Sequence, residues 1–571
     1  MTLLSVRDLH VGFGPRPEEA EVLQGLGFDL AAGETLALVG ESGSGKSVTA
    51  LALTRLVDFG GGRITRGAIR LTRPDGAVLD LATAPEARMA RIRGAEIGMI
   101  FQEPMTSLNP VLPVGAQIAE AFRLHHGLGA AAALAEAKRA LDRVRIPDAA
   151  RRLVQFPHEL SGGMLQRVMI ASALACNPRL LIADEPTTAL DVTIQAQIMA
   201  LLADLRDETG MAMIFITHDI GLVAGIADRV MVMQSGRAVE QGPLAQVLDA
   251  PQHPYTRHLL HAVPHFAHGA AARADAPAPA PPVLEVRDLT VRFRVGGGLF
   301  RPARGHVHAV ERVSLALGPG ETLGIVGESG SGKSTTARAI LGLARSRGDI
   351  RVTGPGRRPV QMVFQNPYAS LNPRLTVEHL LAEPLLAAGQ RLDGTARARM
   401  RMLLERVSLP ADSLGRYPHA FSGGQRQRLC IARALMLNPS VVLLDEAVSA
   451  LDVSVQARVL DLLIDLQRDF GLAYLFISHD MAVVERIAHR IAVIHRGQIV
   501  ETGPAAAVLA RPQHSYTRRL IAAVPSVARR HAHYALETTE VPSLLRPAGW
   551  EPPAPRWIEA GPGHLTREEA P

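Results

Sequence analysis

Short, continuous apolar runs that stop at a glycine, an acidic pair or a histidine recur along the chain. Leu36-Ala37-Leu38-Val39 runs into Gly40, Leu180-Leu181-Ile182-Ala183 into Asp184-Glu185, and Met213 to Ile216, extended by Thr217, into His218. Each run is too short for a helix and lacks polar alternation, which predicts a strand buried on both faces. The three runs appear again: Leu323-Gly324-Ile325-Val326 before Gly327, Val441 to Leu444 before Asp445-Glu446, and Tyr474 to Ser478 before His479. Helix-compatible stretches follow the glycine-rich turns, which predicts an α/β architecture with the special residues at strand ends.

The repetition extends to nearly the whole chain. Val6-Arg7-Asp8-Leu9 returns at 286–289, Gly-Glu-Ser-Gly-Ser-Gly-Lys-Ser at 40–47 returns at 327–334, and Ser161-Gly162-Gly163 returns as Ser422-Gly423-Gly424. The offset changes from 280 to 287 and then to about 261, so the second copy gains seven residues near Gly296-Gly297-Gly298 and loses 24 before Gln365. A period this long is a domain duplication, not a solenoid. The expected organisation is a first domain over 1–264, an Ala/Pro-rich linker over 265–282, a second domain over 283–530 and a Pro-rich tail over 531–571. Alternating Ala and Pro favours an extended, semi-stiff spacer that acts as a passive tether. The tail, with Pro552, Pro553 and Pro555, is expected to be poorly ordered or draped on the surface.

Composition removes several classes. A chain of 571 residues with 47% hydrophobic and 20% charged residues is globular, not fibrous or disordered. Two cysteines, Cys176 and Cys430, exclude a disulfide scaffold and a Cys-based metal centre, and read as small core residues. No signal-peptide pattern opens the chain and no run of 18 apolar residues occurs, so the chain is not expected to span a membrane. A formal charge of +6 is too weak to demand nucleic acid.

The chemistry lies at the strand ends. Gly40, Ser42, Gly43, Gly45, Lys46 and Ser47 fit the phosphate-binding pattern G-x-x-x-x-G-K-[ST], as do Gly327, Ser329, Gly330, Gly332, Lys333 and Ser334. Glycines let the backbone approach phosphate, and the exposed N–H groups and helix start attract the anion. Lys46 and Lys333 would neutralise the β- and γ-oxygens of ATP, and the Ser47 and Ser334 hydroxyls would ligate Mg²⁺. Asp184 and Asp445 would hold Mg²⁺ directly or through water, and Glu185 and Glu446 would polarise the attacking water. A helix N-cap pair is the plainer reading of such acids, but it loses beside a phosphate loop. His218 and His479 would contact the γ-phosphate or that water.

The Ser-Gly-Gly segments stand 23 residues before the strand-end aspartates, and with this motif order the chain resembles the ATP-binding cassette (ABC) ATPases over about 3–265 and 283–525. The resemblance implies a tandem P-loop NTPase: in each copy a RecA-like core, an antiparallel β-part and a helical subdomain carrying the signature. It implies adenine stacking at Phe13 and Phe293, nucleotide- and Mg²⁺-sensing glutamines at Gln102 and Gln365, signature residues Ser161, Gly162, Gly163, Ser422, Gly423 and Gly424, and D-loops Ala189-Leu190-Asp191 and Ala450-Leu451-Asp452. It also implies head-to-tail use of the signatures, each acting on ATP held by the other copy. Two departures, Met164 in place of the usual Gln and Ala447-Val448 where the first copy has Pro186-Thr187, remove no catalytic group, so two hydrolytic sites are expected.

Phe-Gln-Glu-Pro-Met-Thr-Ser-Leu-Asn-Pro at 101–110, its counterpart at 364–373, His253-Pro254-Tyr255-Thr256 and His514-Ser515-Tyr516-Thr517 look like segments of the dipeptide/oligopeptide/nickel importers. The His-Pro-Tyr-Thr segment reads as a turn and helix closing each domain, a family marker without chemistry of its own. The implied role is an ATPase that energises a peptide importer, glutathione-like substrates included, with nickel or another small solute as the alternative. The implied partners are two integral-membrane permeases and an extracytoplasmic solute-binding protein. No nucleic acid is expected, and membrane contact would run only through the permeases at the cytoplasmic face of the inner membrane. A soluble twin cassette acting on ribosomes or DNA is the rival class, disfavoured by the short Ala/Pro linker.

Overall fold

A computed structural model describes residues 1–188, 190–262, 266–270, 272–273, 277, 280–295, 305–354, 358–449, 451–525, 545–547 and 550–569. The Gly296–Gly298 region, Ala189 and Ala450 of the two D-loops, much of the linker and residues 526–544 lie outside the described residues. The chain divides into two compact units, one built on residues 1–190 and 194–262, the other on residues 266–524 with the strands of the C-terminal segment.

In the first unit the expected runs are strands of one sheet, in the order Arg237–Pro243, Arg229–Gln234, Thr35–Val39, Ala212–Thr217, Leu180–Asp184, Ile97–Ile100. All neighbours pair in parallel except Arg237–Pro243, which runs antiparallel on Arg229–Gln234. Thr35–Val39, Leu180–Asp184 and Ala212–Thr217 are buried at every position, which is why they read as unbroken apolar runs rather than as alternations. A second, antiparallel sheet is formed by Glu21–Ala31, Thr2–Phe13, Gly62–Thr72 and Val78–Asp80. The helices Val114–His126, Ala130–Arg143 and Gly162–Leu174 pack in one apolar core with Leu181, Ala183, Met213 and Phe215 of the parallel sheet, and Ile118, Ala133, Leu141 and Val168 are fully buried in it.

The second unit repeats this order: Val360–Val363, Val441–Asp445, Ala473–Ser478, Thr322–Val326, Arg490–His495 and Gln498–Pro504. The strand Val78–Asp80 and the helix Glu86–Ile92 have no counterpart among the described residues between Arg347–Val352 and Val360–Val363, where this copy is shorter. Cys176 and Cys430 are free and buried, and burial pushes the Cys430 thiol up to about 11.

Two expectations need correction. The described residues of the tail, 545–547 and 550–569, are not merely draped. Trp557–Gly561 and His564–Arg567 form a hairpin that extends the core sheet beyond Gln498–Pro504, and Leu545–Arg546 pairs with Gly305–Leu317. Gln498–Pro504 would otherwise be an open edge, and the tail covers it. The linker is also no free tether at its start, because the Ala267 and Gly269 N–H groups donate to the buried Glu485 carboxylate at 2.8 and 2.6 Å. No helix among the described residues is long and apolar enough to cross a membrane.

Candidate functional site

Strand Thr35–Val39 delivers the chain into the loop Gly40–Gly45, and helix Lys46–Leu53 leaves it. The glycines are required by space and by torsion. A Cβ on Gly40 would lie 2.3 Å from the Met233 carbonyl oxygen, and Gly45 caps the helix with φ near 100°. Gly327 and Gly332 repeat both features, at 2.2 Å from the Ile494 carbonyl oxygen and with φ near 108°. Lys46 Nζ donates to the carbonyls of Gly40 and Glu41 at 2.8 and 2.9 Å, and Lys333 Nζ to those of Gly327 and Glu328 at 2.7 and 2.9 Å. Ser42 and Gly43 at the tip of the loop are exposed.

The neighbouring strands bring the acids to the same edge. The Ser47 hydroxyl donates to Asp184 at 3.0 Å, and Ser334 donates to Asp445 at 2.7 Å. Burial raises both aspartates above the usual carboxylate range, Asp184 to about 6. Glu185 accepts from Gln102 Nε2 at 3.0 Å and from the Thr188 hydroxyl at 2.8 Å, and lies 3.2 Å from His218 Nδ1. Glu446 accepts from Gln365 Nε2 at 2.7 Å and lies 3.5 Å from His479 Nδ1. Burial alone would push Glu185 up, but the His218 and Thr188 hydrogen bonds and the Lys46 charge together hold it down to about 2. For Glu446 burial likewise pushes up, and the His479 hydrogen bond and charge with the Lys333 charge hold it below the usual range. Both glutamates sit at φ near 47°, a left-handed conformation unusual for Glu that costs roughly 1–2 kcal/mol and recurs in both copies.

Lys46, Ser47, Asp184, Glu185, Gln102 and His218 thus converge, as do Lys333, Ser334, Asp445, Glu446, Gln365 and His479. The histidines face the glutamates. The signatures sit elsewhere in each unit, at the N-termini of helices Gly162–Leu174 and Gly423–Leu435. Gly163 and Gly424 must be small there, because a Cβ would lie 2.8 Å from Ile194 and 2.4 Å from Val455. Asp452 directly precedes the helix Val453–Phe470, and Asp191 precedes Val192–Thr209. Phe13 packs half-buried against Gly62 in the first antiparallel sheet, whereas Phe293 is 48% exposed.

Residues 23–188 and 310–449 match the family described as ABC transporter, and residues 239–290 and 500–549 match the oligopeptide/dipeptide transporter C-terminal region. The glutathione import ATP-binding protein GsiA of Salmonella typhimurium is 53% identical over 98% of this chain and 96% of its own length. The protein of that name from Escherichia coli K12 is 52% identical over 99% of this chain and 97% of its own. The chain belongs to the ABC transporter family. A solved cassette, described as the dimeric post-hydrolysis state of MJ0796 bound to ADP and Pi, is 26% identical, covers 42% of this chain and 99% of its own, and has a TM-score of 0.38.

Within this ABC protein the two cassettes differ at their signature helices. Ser422 and Gln425 cap the second reciprocally: Gln425 N–H donates to the Ser422 hydroxyl at 3.4 Å, and Ser422 N–H donates to Gln425 Oε1 at 2.9 Å. The Ser161 side chain makes no cap hydrogen bond, and Met164 offers no side-chain acceptor for the Ser161 N–H. Met164→Gln is therefore expected to stabilise the first cassette by about 0.5–1 kcal/mol in urea unfolding, and Gln425→Met to cost the second a similar amount.

Sequence reasoning missed the roles of three residues. Thr188 on Glu185 carries no motif signal of its own. Tyr255 and Tyr516, set aside as family markers, accept hydrogen bonds from the backbone N–H groups of Glu41 and Glu328 in the phosphate loops, at 3.2 and 2.9 Å.

Proposed function

We propose that this chain is the ATP-hydrolysing subunit that energises import of short peptides, glutathione-like tripeptides included. The observation that carries the reading is likeness running end to end, through both cassettes and both oligopeptide-type C-terminal segments, to proteins named for glutathione import. The duplicated sites supply the chemistry. Lys46 and Lys333 neutralise the phosphates, and the glycine loops present N–H groups to them. Ser47 with Asp184, and Ser334 with Asp445, offer paired hard oxygen donors, the set that suits Mg²⁺, and the raised Asp184 is relieved once a cation shares its pocket. When bound, Mg²⁺ supplies charge neutralisation at the β- and γ-oxygens. Glu185 and Glu446, fixed as carboxylates, orient and deprotonate the attacking water; Gln102, Gln365, His218 and His479 hold them in place. ATP draws the two cassettes together and hydrolysis releases them, each signature serving ATP bound by the other cassette.

The partners in this reading are two permeases and an extracytoplasmic solute-binding protein, at the cytoplasmic face of the inner membrane. The test is purification from gently solubilised native membranes, followed by reconstitution in proteoliposomes with ATP inside. Two co-purifying permeases and ATP-dependent uptake of glutathione or dipeptides support the proposal. Uptake of nickel without peptide shifts the substrate class, and ribosomal or DNA-repair partners with no permease overturn the importer reading.

A further inference from the structure

The residue after the first glycine of each phosphate loop is gripped on both sides, through its own N–H and its own carbonyl. The Glu41 carbonyl accepts from Lys46 Nζ at 2.9 Å and from the Ser44 N–H at 3.2 Å, while its N–H donates to the Tyr255 hydroxyl at 3.2 Å. The Glu328 carbonyl accepts from Lys333 Nζ at 2.9 Å and from the Ser331 N–H at 3.1 Å, while its N–H donates to the Tyr516 hydroxyl at 2.9 Å. The tyrosines stand 214 and 188 residues from the loops they touch, so local chain geometry does not impose the contact. Each copy builds it on the closing helix, Pro254–Ala262 or Ser515–Ala522.

The tyrosines are themselves anchored. The Tyr255 N–H donates to His253 Nδ1 at 3.2 Å, and the His253 N–H donates to Glu240 at 3.1 Å on the strand Arg237–Pro243. The Tyr516 N–H donates to His514 Nδ1 at 3.1 Å, and the His514 N–H donates to Glu501 at 3.0 Å on Gln498–Pro504. The turns leading into these strands support the loop further along, through the Gly236 N–H on the Ser44 carbonyl at 3.0 Å and the Gly497 N–H on the Ser331 carbonyl at 2.8 Å. A glutamate, a histidine and a tyrosine therefore run in series from the strand after the hairpin to the loop, twice.

We propose that Tyr255 and Tyr516 are positioning residues for nucleotide binding: their hydroxyls fix the first peptide of each phosphate loop so that the following N–H groups stay aimed at the phosphates. The proposal rests on the ATP-binding reading of the loops. The physical need is plain. A loop with left-handed Gly43 and Gly45 has access to other backbone states, and Lys46, which braces the Glu41 carbonyl, must leave it to reach phosphate. The tyrosine bond does not compete with phosphate and persists through that exchange. Tyr516 is the more confined of the two: its ring centroid lies 3.9 Å from that of His495, and the ring is fully buried. The first copy has Gln234 at the position of His495.

The test uses the full chain with Tyr255→Phe, Tyr516→Phe and both together. ATP affinity is measured by equilibrium dialysis of radiolabelled ATP with Mg²⁺ in a Glu185→Gln, Glu446→Gln background, so that binding is read without turnover. KM and kcat are measured in the background with both glutamates intact. Losing one neutral hydrogen bond per loop is expected to raise Kd and KM for ATP about 3- to 10-fold in the double variant, with kcat changed less than twofold and ADP weakened in parallel. Tyr255→Leu, which removes the ring as well, separates positioning from packing: the proposal expects Phe to carry most of the affinity loss and Leu to add a fall in melting temperature. Unchanged Kd in the Phe variants overturns the proposal, as does an affinity loss that appears only with Leu. If Tyr516→Phe does not fold, Tyr255→Phe decides alone. A chain with both tyrosines intact that binds no ATP would instead defeat the ATPase reading.

Discussion

Glu185→Gln together with Glu446→Gln is expected to lower ATP turnover about 10²- to 10⁴-fold while ATP still binds, the range for loss of a general base. Glu185 meets the requirements of a base held ready. Its carboxylate is kept down to about 2, so it is ionised at any working pH. Its backbone is held in a left-handed conformation, and its N–H donates to the Ile216 carbonyl at 2.9 Å. Glutamine copies the shape but not the basicity, and its amide N–H₂ turns toward donors at Gln102 and Thr188 that expect an acceptor. The phosphate contacts of Lys46 and Ser47 are untouched, so steady-state hydrolysis and equilibrium ATP binding should separate in the double variant. Each single variant retains activity from the intact cassette. Turnover within twofold of the unmodified protein would defeat the assignment, and loss of binding along with turnover would reduce the glutamates to structural groups. The depressed pKa carries a stability consequence of definite sign: the ionised form stabilises the fold above about pH 4.5, and that contribution is lost as the pH falls toward 2.

How much of this was legible depends on the range of the interaction. The core strands could be read because burial on both faces writes itself as an unbroken apolar run, and the loop and acids could be read because phosphate chemistry demands particular residues at fixed spacing. The strand order, with Thr35–Val39 between Ala212–Thr217 and Arg229–Gln234, was not in the pattern, since pairing between strands far apart in sequence leaves no periodicity. Tyr255 could be named but not assigned, because its hydroxyl acts on a loop 214 residues away. The strained φ of Glu185 was hidden as well: Glu has no turn preference to announce it. In the C-terminal segment proline content outweighed a short-range signal. Gly561-Pro562-Gly563 between Trp557–Gly561 and His564–Arg567 is turn chemistry, but its value depended on an open edge strand that sequence does not display. Ser515, which stands where the first copy has Pro254, has a reason once that segment is placed: its N–H donates to Glu569, a bond proline could not make.

Glu501→Ala should be the most damaging single change in the C-terminal half, costing about 3 kcal/mol, whereas Glu240→Ala at the matching place in the first cassette should cost about 1 kcal/mol. Glu501 is fully buried and accepts from the N–H groups of Gln513 and His514 at 2.8 and 3.0 Å, and its Oε1 lies 2.7 Å from His564 Nε2. Removing it orphans three polar groups, one of them on a side chain that is itself 4% exposed. Glu240 accepts only the first two of the equivalent bonds, from Gln252 and His253 at 2.8 and 3.1 Å, and water reaches it. The chain carries its own reporter for the difference. Its two tryptophans are Trp550 and Trp557, both in the C-terminal segment that packs on the second cassette. Urea unfolding followed by tryptophan emission therefore reads that half alone. Glu501→Ala should move this transition to lower urea and expose 545–569 to protease, Glu501→Gln should move it less because one acceptor oxygen survives, and Glu240→Ala should leave it in place. An emission transition that ignores Glu501→Ala, or that follows Glu240→Ala equally, would mean that the tail hairpin is not held by this carboxylate.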